Sequence, residues 1–247
     1  MRLKVIACEV LFRELCLCAS RARAVLDLQF LRRGLHDNPD LLRERVQAAI
    51  DETDESVCQA VVLGYGLCSN GVAGLRARGI PLVVPRAHDC IALLLGSKEE
   101  YARRFDDQPG TYYYSGGWVE RGADRVPRRP EDGAGLDVSF DELVAKYGRD
   151  NAEYLREVQS NWIEHYTQAT YIETHLGTVD DYRAYTQGIA RKHGWTFDDV
   201  EGNLALLQAM LDGEWEEAQF LVVPPGHEVV QSVGPEIVAA RPQPGCE

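Results

Sequence analysis

No stretch of the 247-residue sequence approaches the ~20 consecutive apolar residues that a bilayer-spanning helix needs. The opening Met1–Cys8 carries a short apolar run but no small-residue cleavage site, so it does not read as a secretory signal. Positive charge is scarce: 26 Lys and Arg stand against 39 Asp and Glu, a net charge of −13. That balance argues against nucleic acid or an anionic membrane as a partner. Also missing are CxxC pairs, ribbon-type zinc spacing, GxGxxG, a P-loop lysine, a GxSxG elbow, HExxH and an EF-hand loop. Their absence removes the familiar dinucleotide, NTPase, serine-hydrolase and metalloprotease readings. What is present is ordinary globular composition, 45% hydrophobic and 26% charged, on a chain long enough to bury a core without covalent staples. A soluble, cytoplasmic protein is expected, with a small molecule as its partner.

Seven cysteines are the unusual part of the inventory: Cys8, Cys16, Cys18, Cys58, Cys68, Cys90 and Cys246. An odd number in a chain of this length does not suggest a disulfide framework. Cys16 and Cys18 fall on an expected helix, where residues two apart point about 200° away from each other. With Cys58 they read as small core residues, and Cys246 belongs to the tail.

Buried apolar runs at 3–8, 25–30, 60–64 and 80–84 read as strands, separated by helical segments at 9–20, 39–54 and 71–78. A capping box at Ser97–Glu100 opens a further helix, and Gly110–Ser115 is a short aromatic strand. Residues 120–135 are rich in Arg, Gly, Pro and Asp and read as an exposed loop. Helix is expected to 147 and over 151–166. The alternation then resumes with strands at 169–173, 195–197, 220–223 and 228–233 and helices at 179–193 and 203–211. Strands alternating with helices imply an α/β fold, a mostly parallel Rossmann-like sheet flanked by helices, with strands one, three and four adjacent. Leu82-Val-Val-Pro85-Arg-Ala-His88-Asp89 is echoed by Leu221-Val-Val-Pro224-Pro-Gly-His227-Glu228, which allows two related lobes. The expected organisation is a first lobe over 1–118, a connection over 119–166, a smaller second lobe over 167–234, and a loose tail over 235–247.

Cys8 ends the first strand, Cys68 follows the third, and His88 and Cys90 follow the fourth. In open α/β sheets these carboxyl ends face one edge, where ligands bind. Cys8, Cys68, His88 and Cys90 are therefore the candidate metal ligands. Mixed sulfur and nitrogen ligation suits zinc with a position left open for substrate. The rival is a 4Fe-4S cluster held by three cysteines, with His88 as a catalytic base. Each residue also has a plainer reading, as strand-end filler, a helix cap or core. Gly66 and Gly71 let the chain turn tightly, and free amides at Ser69, Asn70 and Gly71 could hold an anion. Arg86, Tyr112, Tyr114 and Trp118 complete the expected ligand-binding set, the aromatics as a wall for a flat or methylated ligand. They read equally as core.

The segments Gly64–Gly71, Pro85–Cys90, Gly110–Trp118 and Gly213–Gly226 together resemble the family catalogued as domain of unknown function 1638. The resemblance spans nearly the whole chain. It implies an association with corrinoid-dependent methyltransferases, hence one-carbon or methyl metabolism and a corrinoid protein or methyltransferase as partner. It implies no established reaction. Two classes of function follow: a metal-centred enzyme or accessory protein, and a ligand-binding or partner module whose cysteines are structural.

Overall fold

The computed structural model describes residues 1–122 and 165–243, together with Val144, Gly148 and Arg149. Most of the helices expected over 139–147 and 151–166, most of the 120–135 loop and Cys246 lie outside the described residues.

The first half alternates as the pattern dictates: β1 (Arg2–Cys8), α1 (Phe12–Ala19), β2 (Val25–Leu31), α2 (Pro39–Asp51), β3 (Ala60–Gly64) and β4 (Leu82–Pro85). A short α3 (Cys90–Leu95), α4 (Lys98–Asp107), β5 (Thr111–Ser115) and α5 (Gly116–Glu120) follow. After the undescribed segment come β6 (Gln168–Glu173), α6 (Val179–His193), β7 (Thr196–Glu201), α7 (Ala205–Asp212), β8 (Phe220–Val223), β9 (His227–Gln231) and β10 (Val238–Pro242). The caps are chemical. Asn38 accepts from the Leu41 amide with Pro39 at the first helical position, and Ser97 accepts from the Glu100 amide. Thr178 precedes α6 but its side chain makes no cap bond.

The main sheet has the order β2-β1-β3-β4-β8. Its first four strands are parallel, and β8 closes the edge antiparallel to β4. Both faces are covered, as parallel strands require. Leu3, Val5 and Ala7 of β1 face a core built with α1, α3 and α7. Ile6 and Cys8 face the opposite core, built with Leu42, Val46 and Ile50 of α2 and with Val229 and Val238 of the β9–β10 hairpin. A second parallel sheet has the order β5-β6-β7, and β9 and β10 pair antiparallel.

The structure differs from the expectations in four places. Residues 71–78 form no helix, because their backbone bonds to β9 instead: Gly74 N donates to Val229 O at 2.7 Å and Ala77 N to His227 O at 2.9 Å. The stretch read as a loose tail contains β10, returned onto β9 by a turn in which Ile237 takes φ +64°. The strand echo does not mark equivalent lobes, since β8 joins the first sheet beside β4. The expected lobe boundaries also cut across the sheets, because β5 belongs with β6 and β7.

Candidate functional site

In the main sheet the chain leaves β1 for β2 on one side and later adds β3 on the other. The order therefore reverses at β1, and the carboxyl ends of β1 and β3 border the crevice where open α/β sheets take ligands. Cys8 is the last residue of β1. Tyr65 and Cys68 follow β3, and Cys90 opens α3 just past β4.

Two loops carry Cys68 and Cys90, and they are stitched together. Leu67 N donates to Ala87 O at 2.8 Å and Cys68 N to His88 O at 2.8 Å. The approach demands glycine at position 66, where a Cβ would sit 2.5 Å from Asp89 N and 2.7 Å from its Cα. The loop then runs through three consecutive non-glycine residues with positive φ, Cys68 (+46°), Ser69 (+53°) and Asn70 (+68°). Left-handed backbone costs an ordinary residue about 1–2 kcal/mol. Strain of this kind concentrates where geometry serves function. Arg43 Nη2 anchors the turn through Asn70 O at 3.1 Å. Asp89 caps α3, accepting from the amides of Ile91 and Ala92, and also accepts from the Tyr101 hydroxyl at 3.1 Å.

The three thiols fall within one another's electrostatic reach. Burial pushes Cys8 up to about 11, and also raises Cys68 and Cys90, whose proton is held further by Asp89 and by the neighbouring cysteines. Opposing this, the amides of Val10 and Gly66 and Cys90's own amide direct N–H groups at the Cys8, Cys68 and Cys90 sulfurs. Tyr65 lies among them, 3% exposed, and its hydroxyl has no hydrogen-bond partner. Above Cys8, the Arg33 guanidinium stacks 4.0 Å from the Trp118 ring centroid and donates from Nη1 to Arg121 O at 3.0 Å. Its Nε is buried without a partner. Arg121 in turn pairs with Glu9 at 3.3 Å. Trp118 reaches this position because Gly117 lies against the Val10 backbone, where a Cβ would sit 1.8 Å from the Val10 carbonyl.

Two buried donors of the site, Tyr65 Oη and Arg33 Nε, have no partner, while the Glu9 and Asp89 carboxylates beside it accept from other groups. Cys8, Cys68 and Cys90 lie near one another, with Gly66 at the close approach of the two cysteine loops, and Trp118 packs against the same core. The rest of the expected set goes elsewhere. His88 is exposed and lines a cleft of about 480 Å³ with Lys98, Tyr101, Phe105 and Pro235. Arg86 is no ligand-facing cation. Its buried guanidinium donates to the carbonyls of Glu217 (2.7 Å), Glu236 (2.9 Å) and Val238 (2.6 Å), tying the sheet edge to the C-terminal hairpin. Tyr112 and Tyr114 stack at 5.0 Å on the second sheet, Tyr112 against Trp195 and Tyr166 and Tyr114 against Tyr185. Ser69 and Asn70 are exposed, and the Gly71 amide is taken by Cys68 O at 2.9 Å. Cys18 and Cys58 are buried and Cys16 is half-buried.

Among the described residues, no group of three or more His, Cys, Asp and Glu side chains is disposed to hold a metal ion. Also among the described residues, no helix is long and apolar enough to cross a membrane.

No curated protein and no solved structure matches the chain. A family model does match, over residues 30–211, under the description "Protein of unknown function (DUF1638)". That span takes in α2, the Gly64–Gly71 turn, the β4 loop and all three strands of the second sheet, and on it the chain belongs to the DUF1638 family.

Proposed function

We propose that Cys8, Cys68 and Cys90 hold a metal–thiolate centre with one coordination position left over, at which the protein binds and activates a small molecule. The observation that carries this reading is the buried Tyr65 hydroxyl, which has no acceptor and stands among three cysteines delivered by three separate strand ends. A buried polar group without a partner is uncommon and calls for an explanation such as an ion. Thiolates bound to a cation give that explanation, since each thiol loses its proton to solvent as the metal–sulfur bond forms.

The shared chemistry is an electrophilic metal on thiolate sulfur. Zinc supplies it as a single Lewis acid, and a four-iron cluster supplies it at one open iron. With His88 on the neighbouring cleft, ligation is by sulfur alone rather than by the sulfur–nitrogen set expected for zinc. This chain's residues then have distinct tasks. Gly66 holds the Cys68 and Cys90 loops together, and Arg33 offsets the negative charge of the thiolates beside Cys8. Trp118 and Arg121 wall the side of the crevice next to β1.

The family resemblance extends the proposal to methyl or one-carbon metabolism, with a corrinoid protein or methyltransferase as partner. Six free cysteines among the described residues suit a reducing, cytoplasmic setting. Anaerobic purification followed by elemental analysis and absorption spectroscopy tests the centre. About one zinc per chain with no colour assigns the single ion, and iron with inorganic sulfide and absorbance near 400 nm assigns the cluster. A metal-free preparation that neither zinc nor iron and sulfide can load removes the proposal and leaves a binding module with structural cysteines.

A further inference from the structure

We infer that the cleft between α4 and the β9–β10 turn is a binding site for a small aromatic carboxylate, its ring lying on Tyr101 and Phe105 and its carboxylate on the Lys98 ammonium. This site stands apart from the metal–thiolate reading and does not depend on it. The cleft offers about 480 Å³, within the roughly 300–1,000 Å³ of small-molecule sites.

One wall is a face of α4. Lys98, Tyr101, Ala102 and Phe105 recur at i, i+3, i+4 and i+7, the spacing of a single helical stripe. Such a stripe normally seals a helix onto the core, yet no residue of α4 is buried and Phe105 is 55% exposed. The stripe lines the cleft instead. The opposite wall is the turn between β9 and β10, through Gly234, Pro235 and Ile237. That turn is held in a fixed shape. Ile237 is β-branched and takes φ +64°, a conformation such residues rarely adopt. Buried Arg86 clamps both sides of it, through the carbonyls of Glu236 and Val238 and through the Glu236 carboxylate at 2.9 Å. Two aromatic rings and a proline thus border a rigidly framed apolar cleft, which a flat ring fills with the offset or edge-on contacts that aromatic pairs favour. Charge assigns the rest of the ligand. Lys98 Nζ reaches across to Pro235 O at 3.0 Å, and among the described residues its other N–H donors and the His88 imidazole make no hydrogen bond. The acids of the lining are placed differently. Glu99 accepts from the Ser97 hydroxyl at 3.0 Å. Asp106 is exposed about two turns further along α4, where water screens it. A carboxylate satisfies the spare Lys98 donors, whereas an amine would meet Lys98 as a like charge.

Naphthalene-2-carboxylate is the probe, compared by equilibrium dialysis against the full chain with its neutral carboxamide and with the cationic naphthylmethylammonium. One carboxylate should bind per chain with a Kd at or below about 1 mM, and the amide and the ammonium about 10–100-fold more weakly, the range a charge-assisted hydrogen bond accounts for. Lys98→Met should bring the acid down to the level of the amide and leave the amide unchanged. Phe105→Ala should weaken acid and amide alike, about tenfold. Nuclear Overhauser contacts from the bound naphthalene ring to the methyl groups of Ala102 and Ile237 in the wild-type protein locate the site without any variant, and they keep the test open if either variant fails to fold. No saturable binding up to about 10 mM, equal affinity for acid and amide, tightest binding of the ammonium, or binding without those contacts overturns this site. Acid binding that a folded Lys98→Met protein retains in full overturns it as well. So does a dimer of this chain, seen by sedimentation, that Phe105→Glu dissociates, because the stripe on α4 would then be an interface between copies.

Discussion

Gly66→Ala is the substitution whose consequence the structure fixes most tightly. The added methyl would lie 2.5 Å from Asp89 N, 2.7 Å from Asp89 Cα and 2.8 Å from Ala87 O, all backbone atoms with no side-chain torsion to yield. The β3 loop must therefore move off the β4 loop. Doing so breaks the Leu67–Ala87 and Cys68–His88 hydrogen bonds, each 2.8 Å. Hydrogen bonds contribute about 1 kcal/mol apiece, and forced overpacking costs about 1–3 kcal/mol. The expected loss is about 3–5 kcal/mol, a large part of a typical domain's 5–15 kcal/mol. Equilibrium urea unfolding of the anaerobic, reduced protein would read it as a lower midpoint at an unchanged slope. Metal retention should fall as well, because the same movement separates Cys68 from Cys90. A folded Gly66→Ala protein within 1 kcal/mol of wild type would show that the two loops are not held as described.

Arg86→Ala should destabilise by about 3–5 kcal/mol, by leaving the carbonyls of Glu217, Glu236 and Val238 without their charged donor; in metal-loaded protein it should leave cobalt(II) affinity unchanged, which distinguishes a structural clamp from a ligand-binding arginine. Burial raises the Glu14 carboxyl above its ordinary range, so folding favours its neutral form and that contribution weakens as pH rises through the ordinary carboxylate range; Glu14→Gln should raise stability at neutral pH and flatten the curve as pH rises above the ordinary carboxylate range, measured by urea midpoints. The Arg13 hydrogen bond lowers the Glu120 carboxyl, so its contribution is present above the ordinary carboxylate pKa and lost as pH falls through the lowered one; Glu120→Gln should blunt the loss of stability on acidification, read in the same assay. Cys16→Ser and Cys58→Ser should retain full metal content, whereas Cys8→Ala and Cys90→Ala should lose it, as elemental analysis would show.

The main sheet was legible because its parallel strands are short buried runs between helices with chemical caps, and the adjacency of β1, β3 and β4 follows from that alternation. Sheet membership of β5 and β8 was not legible. It depends on pairings made far along the chain, and Leu221-Val-Val looks the same in any buried strand. At the site, cysteines just past strand ends announced themselves by position. His88 and Arg86 share that position, yet the first turns out to solvent and the second binds backbone across the sheet edge. Residues past a strand end have no periodicity to say which way they point. Tyr65 and Arg33 were missed because their meaning lies in strand order. Pairing β2 with β1 sets Leu31 opposite Cys8 and so brings Arg33 alongside, while the Gly64-Tyr-Gly66 context was the one local sign that this aromatic is tightly enclosed.

The central claim is that three thiolates from three strand ends share one centre. X-ray absorption at the metal edge of anaerobically purified, metal-loaded protein tests it most directly, by counting sulfur neighbours and their distance. The account predicts protein sulfur at about 2.3 Å, with one thiolate fewer in Cys68→Ser at equal metal loading. A wild-type metal surrounded by oxygen and nitrogen, or a sulfur count that Cys68→Ser leaves unchanged, would contradict it.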